Sequence, residues 1–340
     1  MEPATTRRNP WLVLAAVLAA PIGCSGTRGT DSDTPAPAVQ LTWMGLTNWL
    51  IETPETTILL NAYYSRPGQD TEEGVAALEQ ILAAGGVDGV DHIIIGHSHY
   101  DHALDAGTAA LATGAQLWGS PTTCLIGQAQ GLSPSRCTLL ESGNEHGEIP
   151  GLTMRVARTP HWSPESDGVG RFEELSAVPL PEAVIEAPNG GVLTLLLDWE
   201  GHGSLLFQDT MGALGSDDGS GDDHAANLDA MLRGYDGVDA WLTCSNCIRE
   251  LGPLLDYFDR IQPRAVVPQH WDSAIRPPMD GLQQPFQATE TYTEALQVTG
   301  TPHFTPGQIF DRWRLRGGVL TQASAHPAQA ALGLSPDGPH

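Results

Sequence analysis

The chain has 340 residues, enough for one large domain or two small ones, and its 41% hydrophobic content allows a sizeable core. It carries 41 acidic residues against 16 basic ones, all of them Arg, for a formal charge of -25. Such a field repels polyanions, which argues against long nucleic acids and anionic membrane surfaces as partners, and the absence of Lys removes Schiff-base and Lys general-base chemistry.

The N-terminus reads as an export signal over residues 1–24. Arg7 and Arg8 supply the positive segment and residues 11–20 the apolar one. The apolar stretch is well short of the roughly 20 residues that span a bilayer. It ends at Pro21-Ile22-Gly23-Cys24, which resembles a bacterial lipobox and implies a lipid anchor on Cys24 in the cell envelope. Pro21 stands where that pattern has Leu, so plain secretion, or a periplasmic location, is the alternative. The Arg pair also permits twin-arginine export, but Asn9-Pro10 fits that motif poorly and ordinary leader charge accounts for it. Residues 25–38, rich in Gly, Ser, Thr, Asp and Pro, read as a flexible tether.

Residues 39–52 and 56–61 alternate or run apolar about Thr53-Pro54-Glu55 and read as a hairpin. Residues 71–84 read as a helix, with Thr71 as its cap, Glu72 and Glu73 in the first turn and Gly85-Gly86 as the stop. A short buried strand at 91–96 is followed by a helix at 103–113 and a strand at 116–118, after which Gly119-Ser120-Pro121 turns the chain. Residues 152–159 read as a strand leading into Pro160-His161-Trp162. A second hairpin, 193–198 with 204–208, ends at Asp209. The acidic loop at 217–224 lacks a D-x-D-x-D-G frame ending in Glu, so it reads as a solvated loop before a Ca²⁺ site. Helices follow at 228–233 and 248–261, a strand at 265–268 ends at Gln269-His270, and a late helix covers 289–298. Residues 319–340, rich in Ala, Pro and Gly, are expected to fray as a disordered tail, which leaves 39–318 as the folded domain. Strands alternating with helices, with hairpins in both halves, point to mixed sheets covered by helices.

Four cysteines remain after Cys24, and in an oxidising compartment an even count points to disulfides. Of three connectivities, Cys124–Cys137 with Cys244–Cys247 is preferred. Cys244-x-x-Cys247 has two other readings, a redox pair or half a zinc site, although no second C-x-x-C completes a four-cysteine site.

The chemistry concentrates at His97-Ser98-His99-Tyr100-Asp101-His102, which follows the apolar run Ile93-Ile94-Ile95-Gly96. Neutral imidazoles and carboxylates suit zinc-like divalent ions. His97 and His99 are two apart, so an extended backbone aims both to one side. A helix starting near Tyr100 places Asp101 and His102 in its first turn, so the ligands flank a small gap. Four ligands so close in sequence suit two ions better than one. Further candidates stand where other apolar runs stop: His161, Asp209 and His270. His92, inside its strand, reads as a packed core residue, and His146, His202 and His303 as surface or loop residues. No G-x-S-x-G elbow, P-loop or G-x-G-x-x-G is present.

The motif matches the H-x-H-x-D-H signature of the metallo-β-lactamase-fold hydrolases, which this chain resembles over roughly residues 40–316. The resemblance implies an α/β fold, a four-layer αββα sandwich of two mixed β-sheets flanked by helices. It implies two divalent ions, Zn²⁺ before Mn²⁺: one held by His97, His99 and His161, the other by Asp101, His102 and His270, with Asp209 between them. A metal-bridging hydroxide then attacks an ester-type bond, with ions about 3.5–4 Å apart and Asp101 also orienting the nucleophile. Trp43-Met44-Gly45 with Asn48-Trp49-Leu50-Ile51, and Pro160-His161-Trp162-Ser163, resemble the branch of ascorbate-phosphate lactonases and N-acylphosphatidylethanolamine phospholipase D. That implies a small-molecule or lipid-like phosphodiester, lactone or other ester as substrate. A non-catalytic metal- or ligand-binding lipoprotein on the same fold is the alternative. Asn61 stands where the family has Asp, a position that reaches the metals only through other ligands. Residues 162–193 align poorly and suggest a substrate-facing insertion. Arg66, Arg158 and Arg171 are the candidates for binding a substrate anion.

Overall fold

The structure is a computed structural model that describes residues 38–66, 69–162 and 170–336. The leader, Cys24 and all of the tether except Ala38 lie outside the described residues. The described residues belong to one compact unit, Pro37–His340.

Strands β1 (Val39–Trp43), β2 (Trp49–Glu52) and β3 (Thr57–Leu60) form an antiparallel meander. The expected single run at 39–52 is two strands, because the chain turns at residues 44–48, where Gly45 takes φ 92° and Leu46 φ 50°. Helix α1 (Thr71–Gly85) starts one residue earlier than a Thr71 cap allows. Asp70 is the cap, its side chain accepting the Glu73 N–H, and Gly86 at φ 72° closes the far end. β4 (His92–Ile94) runs parallel to β3. The expected helix at 103–113 is two pieces, α2 (Tyr100–Ala103) and α3 (Ala106–Thr113). Asp105 between them turns its carboxylate to the Tyr64 and Ser65 N–H groups, at 2.6 and 2.8 Å, instead of capping α3.

After β5 (Gln116–Gly119) the expected turn is in fact the start of α4 (Pro121–Ala129). Ser120 accepts the Thr123 N–H, and Pro121 sits at the first helical position, where its missing N–H costs nothing. The chain continues through β6 (Cys137–Leu139), β7 (Glu145–His146), β8 (Leu152–Thr159), β9 (Val192–Trp199) and β10 (Gly203–Gln208). Then come α5 (His224–Met231), β11 (Ala240–Cys244), α6 (Leu251–Ile261), β12 (Val266–Gln269) and α7 (Glu290–Thr299). The last elements are β13 (Arg312–Arg316), β14 (Val319–Gln322) and α8 (Pro327–Ala331).

The strands form an 8-stranded sheet in the order β14-β13-β1-β2-β3-β4-β5-β6 and a 6-stranded sheet in the order β12-β11-β10-β9-β8-β7. Both are mixed. β3 to β6 are parallel in the first and β10 to β12 in the second, while the other neighbours are antiparallel. The two-residue side-chain period separates the faces of the second sheet. Leu195, Leu197, Leu205, Phe207, Leu242 and Val267 join the core shared with the first sheet. Their neighbours Leu196, Leu206, Trp241 and Val266 point the other way, onto α5, α6 and α7. Helices α1, α3 and α4 pack against the first sheet. The expected layers of helix, sheet, sheet and helix are therefore present.

The C-terminal segment corrects the sequence expectation. β14 pairs with β13, and α8 packs on α1, so residues 319–331 belong to the fold. Burying Leu320 and Ala328 outweighs the helix-breaking composition that suggested fraying. The cysteines pair as Cys124–Cys137 and Cys244–Cys247. Among the described residues no helix is long and apolar enough to cross a membrane.

Candidate metal centre

The seven predicted ligands meet where strands end. His97 and His99 follow β4, and Asp101 and His102 lie in the first turn of α2. His161 follows β8, Asp209 directly follows β10 and His270 directly follows β12. The loop after β4 is held in place from two sides: Gly96 donates its N–H to Asn61 Oδ1 at 2.9 Å, and the Leu193 N–H donates to the Gly96 carbonyl at 2.8 Å. Gly96 must lack a side chain, because a Cβ there would collide with the Asp209 carboxylate. β12 is tied across the core by Gln269, whose Oε1 accepts the Trp49 indole N–H at 2.7 Å and whose Nε2 donates to the Gln208 carbonyl at 2.9 Å.

Three groups that could hold a metal ion result: His97, His99 and His161; His97, His102 and Asp209; and Asp101, His102 and His270. In the first, His99 Nδ1 lies 3.2 Å from His97 Nε2 and 3.1 Å from His161 Nε2. In the third, His102 Nε2 and His270 Nε2 are 3.2 Å apart, and Asp101 Oδ2 is 3.6 and 3.4 Å from them. The groups adjoin, since the His97 and His102 ring centres are 3.9 Å apart. Asp209, fully buried between them, sets its Oδ2 3.0 Å from His97 Nδ1 and 3.2 Å from His102 Nδ1. The His97 contact lies out of line for a hydrogen bond, and both His97 Nδ1 and Asp209 Oδ1 are buried without a hydrogen-bond partner. A bound cation supplies what this donor set lacks. Imidazole lone pairs converge at hydrogen-bond distance with too few protons to satisfy them, and a buried carboxylate oxygen is left unpaired.

Hydrogen bonds behind the ligands fix their orientation. Asn61 Nδ2 donates to Asp209 Oδ2 at 3.0 Å and to Thr47 Oγ1 at 2.8 Å, and Thr47 Oγ1 contacts His102 Nδ1 at 2.9 Å. His161 Nδ1 bonds the Trp162 carbonyl. His270 is held at φ 61° with its N–H on the Leu46 carbonyl at 3.1 Å. That backbone region costs a non-glycine residue about 1–3 kcal/mol and persists only where its surroundings enforce it.

The electrostatics favour the ligating forms. Burial, with His97 adding to it, depresses His99 to about 3. Burial, His97 and His99 together depress His161 to about 2. Burial alone raises Asp101 and Asp209, but the surrounding imidazoles outweigh it and hold both carboxyls below their usual range. Burial lowers His102. His270 is the exception: burial lowers it, but its hydrogen bond to Asp101 and the charges of Asp101 and Asp209 together outweigh burial and raise it. Most imidazoles in the cluster are thus neutral and both carboxylates ionised near pH 7, as metal ligands must be.

Six of the seven candidate ligands, all but Asp209, line a cavity of about 520 Å³ whose walls include Tyr100, Trp162, Ile185, Ala187 and the Cys244–Cys247 disulfide. Ile185, Glu186 and Ala187 come from the hard-to-align 162–193 segment, of which residues 163–169 lie outside the described residues. Among the described residues the Arg of this wall is Arg249, its guanidinium 5.4 Å from the Trp162 ring centre. The three Arg residues proposed from the sequence are elsewhere. Arg66 is buried beside a separate cavity of about 440 Å³, donating to the Arg276, Tyr63 and Ser65 carbonyls. Arg158 pairs with Asp222 at 3.1 Å and lies over Phe172, and Arg171 is exposed. Arg249 stands two residues beyond the C-x-x-C, a position with no periodic pattern to mark it.

His92 is half-buried in β4 rather than fully in the core, and accepts the Trp118 indole N–H at 3.1 Å. His303 is exposed and His202 sits in the β9–β10 turn, whereas His146 is part of β7. The acidic loop spends its carboxylates on the protein: Asp222 on Arg158, Asp218 on His224 at 3.3 Å, and Asp223 as the cap of α5.

No family model and no curated protein matches the sequence. Solved structures do. A metallo hydrolase from the archaeon Ignicoccus hospitalis is 14% identical over 84% of this chain and 99% of its own, with a TM-score of 0.49. A metallo-β-lactamase-fold protein from Bacillus subtilis is 11% identical over 82% of this chain and 99% of its own, with a TM-score of 0.49. An isothiocyanate hydrolase from Delia radicum gut bacteria is 14% identical over 78% of this chain and 96% of its own, with a TM-score of 0.46. These are distant likenesses, and the chemistry of the site is read from its own side chains.

Proposed function

We propose that this protein is a metal-dependent hydrolase with a two-ion centre that cleaves a phosphodiester, or a lactone or other ester, of a small or lipid-like molecule. The observation that carries this is the pair of three-residue groups flanking Asp209, both of which line one cavity, with the unpartnered Asp209 Oδ1 buried between them. When bound, divalent ions, Zn²⁺ before Mn²⁺, supply water activation near neutral pH and polarise the bond to be broken. The chain's own residues do the rest. His97, His99 and His161 would hold one ion and Asp101, His102 and His270 the other, with Asp209 placed between the two groups. Asp101, half-buried at the cavity floor, orients the attacking water and accepts its proton. Arg249 offers a charge to a substrate anion, and Trp162, Ile185 and Ala187 give an apolar wall that limits water at the reacting bond. The Trp162 side of that wall, with the branch resemblance around Pro160-His161-Trp162, favours the phosphodiester. Export, with Cys24 as lipid anchor, is part of the same proposal, and it is supported by the leader pattern and by two disulfides suited to an oxidising compartment.

The test is elemental analysis of the purified domain with turnover of bis-p-nitrophenyl phosphate and simple lactones. Two ions per chain, with turnover abolished by His97→Ala and by Asp101→Ala, is the expected result. Full metal content without turnover of any ester would make the protein a metal-binding lipoprotein instead. A folded protein that takes up no metal would end both readings.

A further inference from the structure

The Cys244–Cys247 disulfide touches the site without belonging to the ligand set. β11 ends at Cys244, which is paired with Gln269, the residue before His270. The turn that the disulfide closes sends three hydrogen bonds to the peptide units bearing His270. Ser245 donates its N–H and its Oγ to the Gln269 carbonyl at 3.1 and 3.2 Å. Asn246 Nδ2 donates to the His270 carbonyl at 3.5 Å. The opposite side is held by the His270 N–H on Leu46. His270 therefore keeps its left-handed φ of 61° between two clamps, one of them covalently closed. Both cysteines are buried, yet both line the cavity that His270 lines.

We propose that the Cys244–Cys247 disulfide is a positioning clamp for His270, and through it a redox control on the ion held by Asp101, His102 and His270. The inference rests on the metal-centre reading above. Closed, the turn presses the His270 peptide into place and its imidazole against Asp101 and His102. A dithiol reductant entering the cavity opens it: a thiolate attacks one sulfur, the Cys–Cys bond breaks, and the second thiol displaces the resulting mixed disulfide. The two cysteines gain two electrons and two protons, and the reductant leaves as its own disulfide. Freed from the closed turn, His270 relaxes from its strained backbone and leaves the ligand group incomplete. Among the described residues no hydrogen bond joins the clamp directly to His97, His99 or His161; its approach to that group is indirect, from Cys247 Sγ to Thr210 Oγ1 at 3.6 Å and on to the Trp162 N–H. Cys124–Cys137, which joins α4 to β6 and is absent from the lining of this cavity, provides the control.

The experiment compares the wild type, the wild type reduced with a water-soluble phosphine (which takes up oxygen from water as its oxide), Cys244→Ser/Cys247→Ser and Cys124→Ser/Cys137→Ser. Zn²⁺ binding is titrated against a competing chelator, Co²⁺ spectra report each group, and denaturation midpoints report stability. The expected result is one ion bound as in the wild type and the other weakened ten- to a hundred-fold, in the reduced protein and in the 244/247 variant alone. Unchanged affinity at both groups, or equal losses in both double variants, would overturn the clamp. If the 244/247 variant fails to fold, the reduced wild type decides by the same criterion. A wild type that binds no second ion at all would overturn the two-ion reading, and the clamp with it.

Discussion

Asn61 offers the most direct test of how the centre is held. It sits just beyond β3 at φ 61°, fully buried, with Oδ1 accepting the Gly96 N–H at 2.9 Å and Nδ2 donating to Thr47 and Asp209. Asn61→Ala removes these bonds together with the Nδ2 contact to His102 Nδ1 at 3.0 Å, and leaves the Gly96 N–H buried without a partner. An unsatisfied buried donor costs about 1–3 kcal/mol. Holding Ala in the left-handed region, which Asn tolerates, adds roughly 1 kcal/mol. The expected loss in the metal-free protein is therefore about 2–4 kcal/mol, read by urea denaturation in chelator. Asp209 loses a donor that fixes it, so metal affinity should fall by roughly ten- to a hundred-fold in competition titrations. Asn61→Gly separates the terms, because it restores the backbone freedom but none of the hydrogen bonds. A loss below about 1 kcal/mol with unchanged metal affinity would refute the role given to Asn61, since the unsatisfied donor alone exceeds it. Full recovery by Gly would show that the bonds contribute nothing.

Three further outcomes are expected. Gly96→Ala drives a Cβ into the Asp209 carboxylate, so it should cost about 1–3 kcal/mol and lower metal content, measured by denaturation and elemental analysis. His99 and His161 have folded pKa values of about 3 and about 2, below the unfolded value near 6.5, so the unfolded chain binds more protons in acid. Stability of the metal-free protein present above about pH 6.5 should fall with acidification by up to about 1.4 kcal/mol per pH unit for each ring, and a flat profile between pH 7 and 5 would contradict their burial as neutral imidazoles. Ending the chain at residue 318 strips β14 from β13 and α8 from α1, so gel filtration should show aggregation, whereas a monodisperse product with an unchanged denaturation midpoint would make the tail dispensable.

The site was legible in the sequence to the degree that its ligands are set by local rules. Each candidate ligand follows an apolar run, and the strand ends where the run does, so His161, Asp209 and His270 could be singled out without knowing which strands adjoin. The parts that went unseen depend on what lies across the chain. β11 is buried along its whole length, so Ala240–Cys244 shows no alternation to mark it. β13 does alternate, but as Arg312, Arg314 and Arg316 about the buried Trp313 and Leu315, a run with two apolar positions that does not mark a strand until β1 and β14 are seen to flank it. Arg249 joins the cavity only because β11 and β12 are adjacent, and Arg66 was chosen on charge while its guanidinium is spent on backbone carbonyls.

Asn61 looked like a defect in the family pattern, since an Asp is usual there, and the geometry gives it a reason. Its Nδ2 lies 3.0 Å from Asp209 Oδ2, in a site where both side chains are fully buried. A carboxylate in its place would set two anions at hydrogen-bond distance in a low-dielectric interior, and one of them would have to take up a proton. Asp209 here directs Oδ2 at the Nδ1 atoms of both His97 and His102, and an amide donor completes that oxygen's surroundings without adding charge. Oδ1 is then the oxygen left to meet an ion. The neutral residue at 61 and the placement of Asp209 are thus one arrangement: the amide shares Oδ2 with the neighbouring imidazoles without adding charge, and Oδ1 is left without a hydrogen-bond partner.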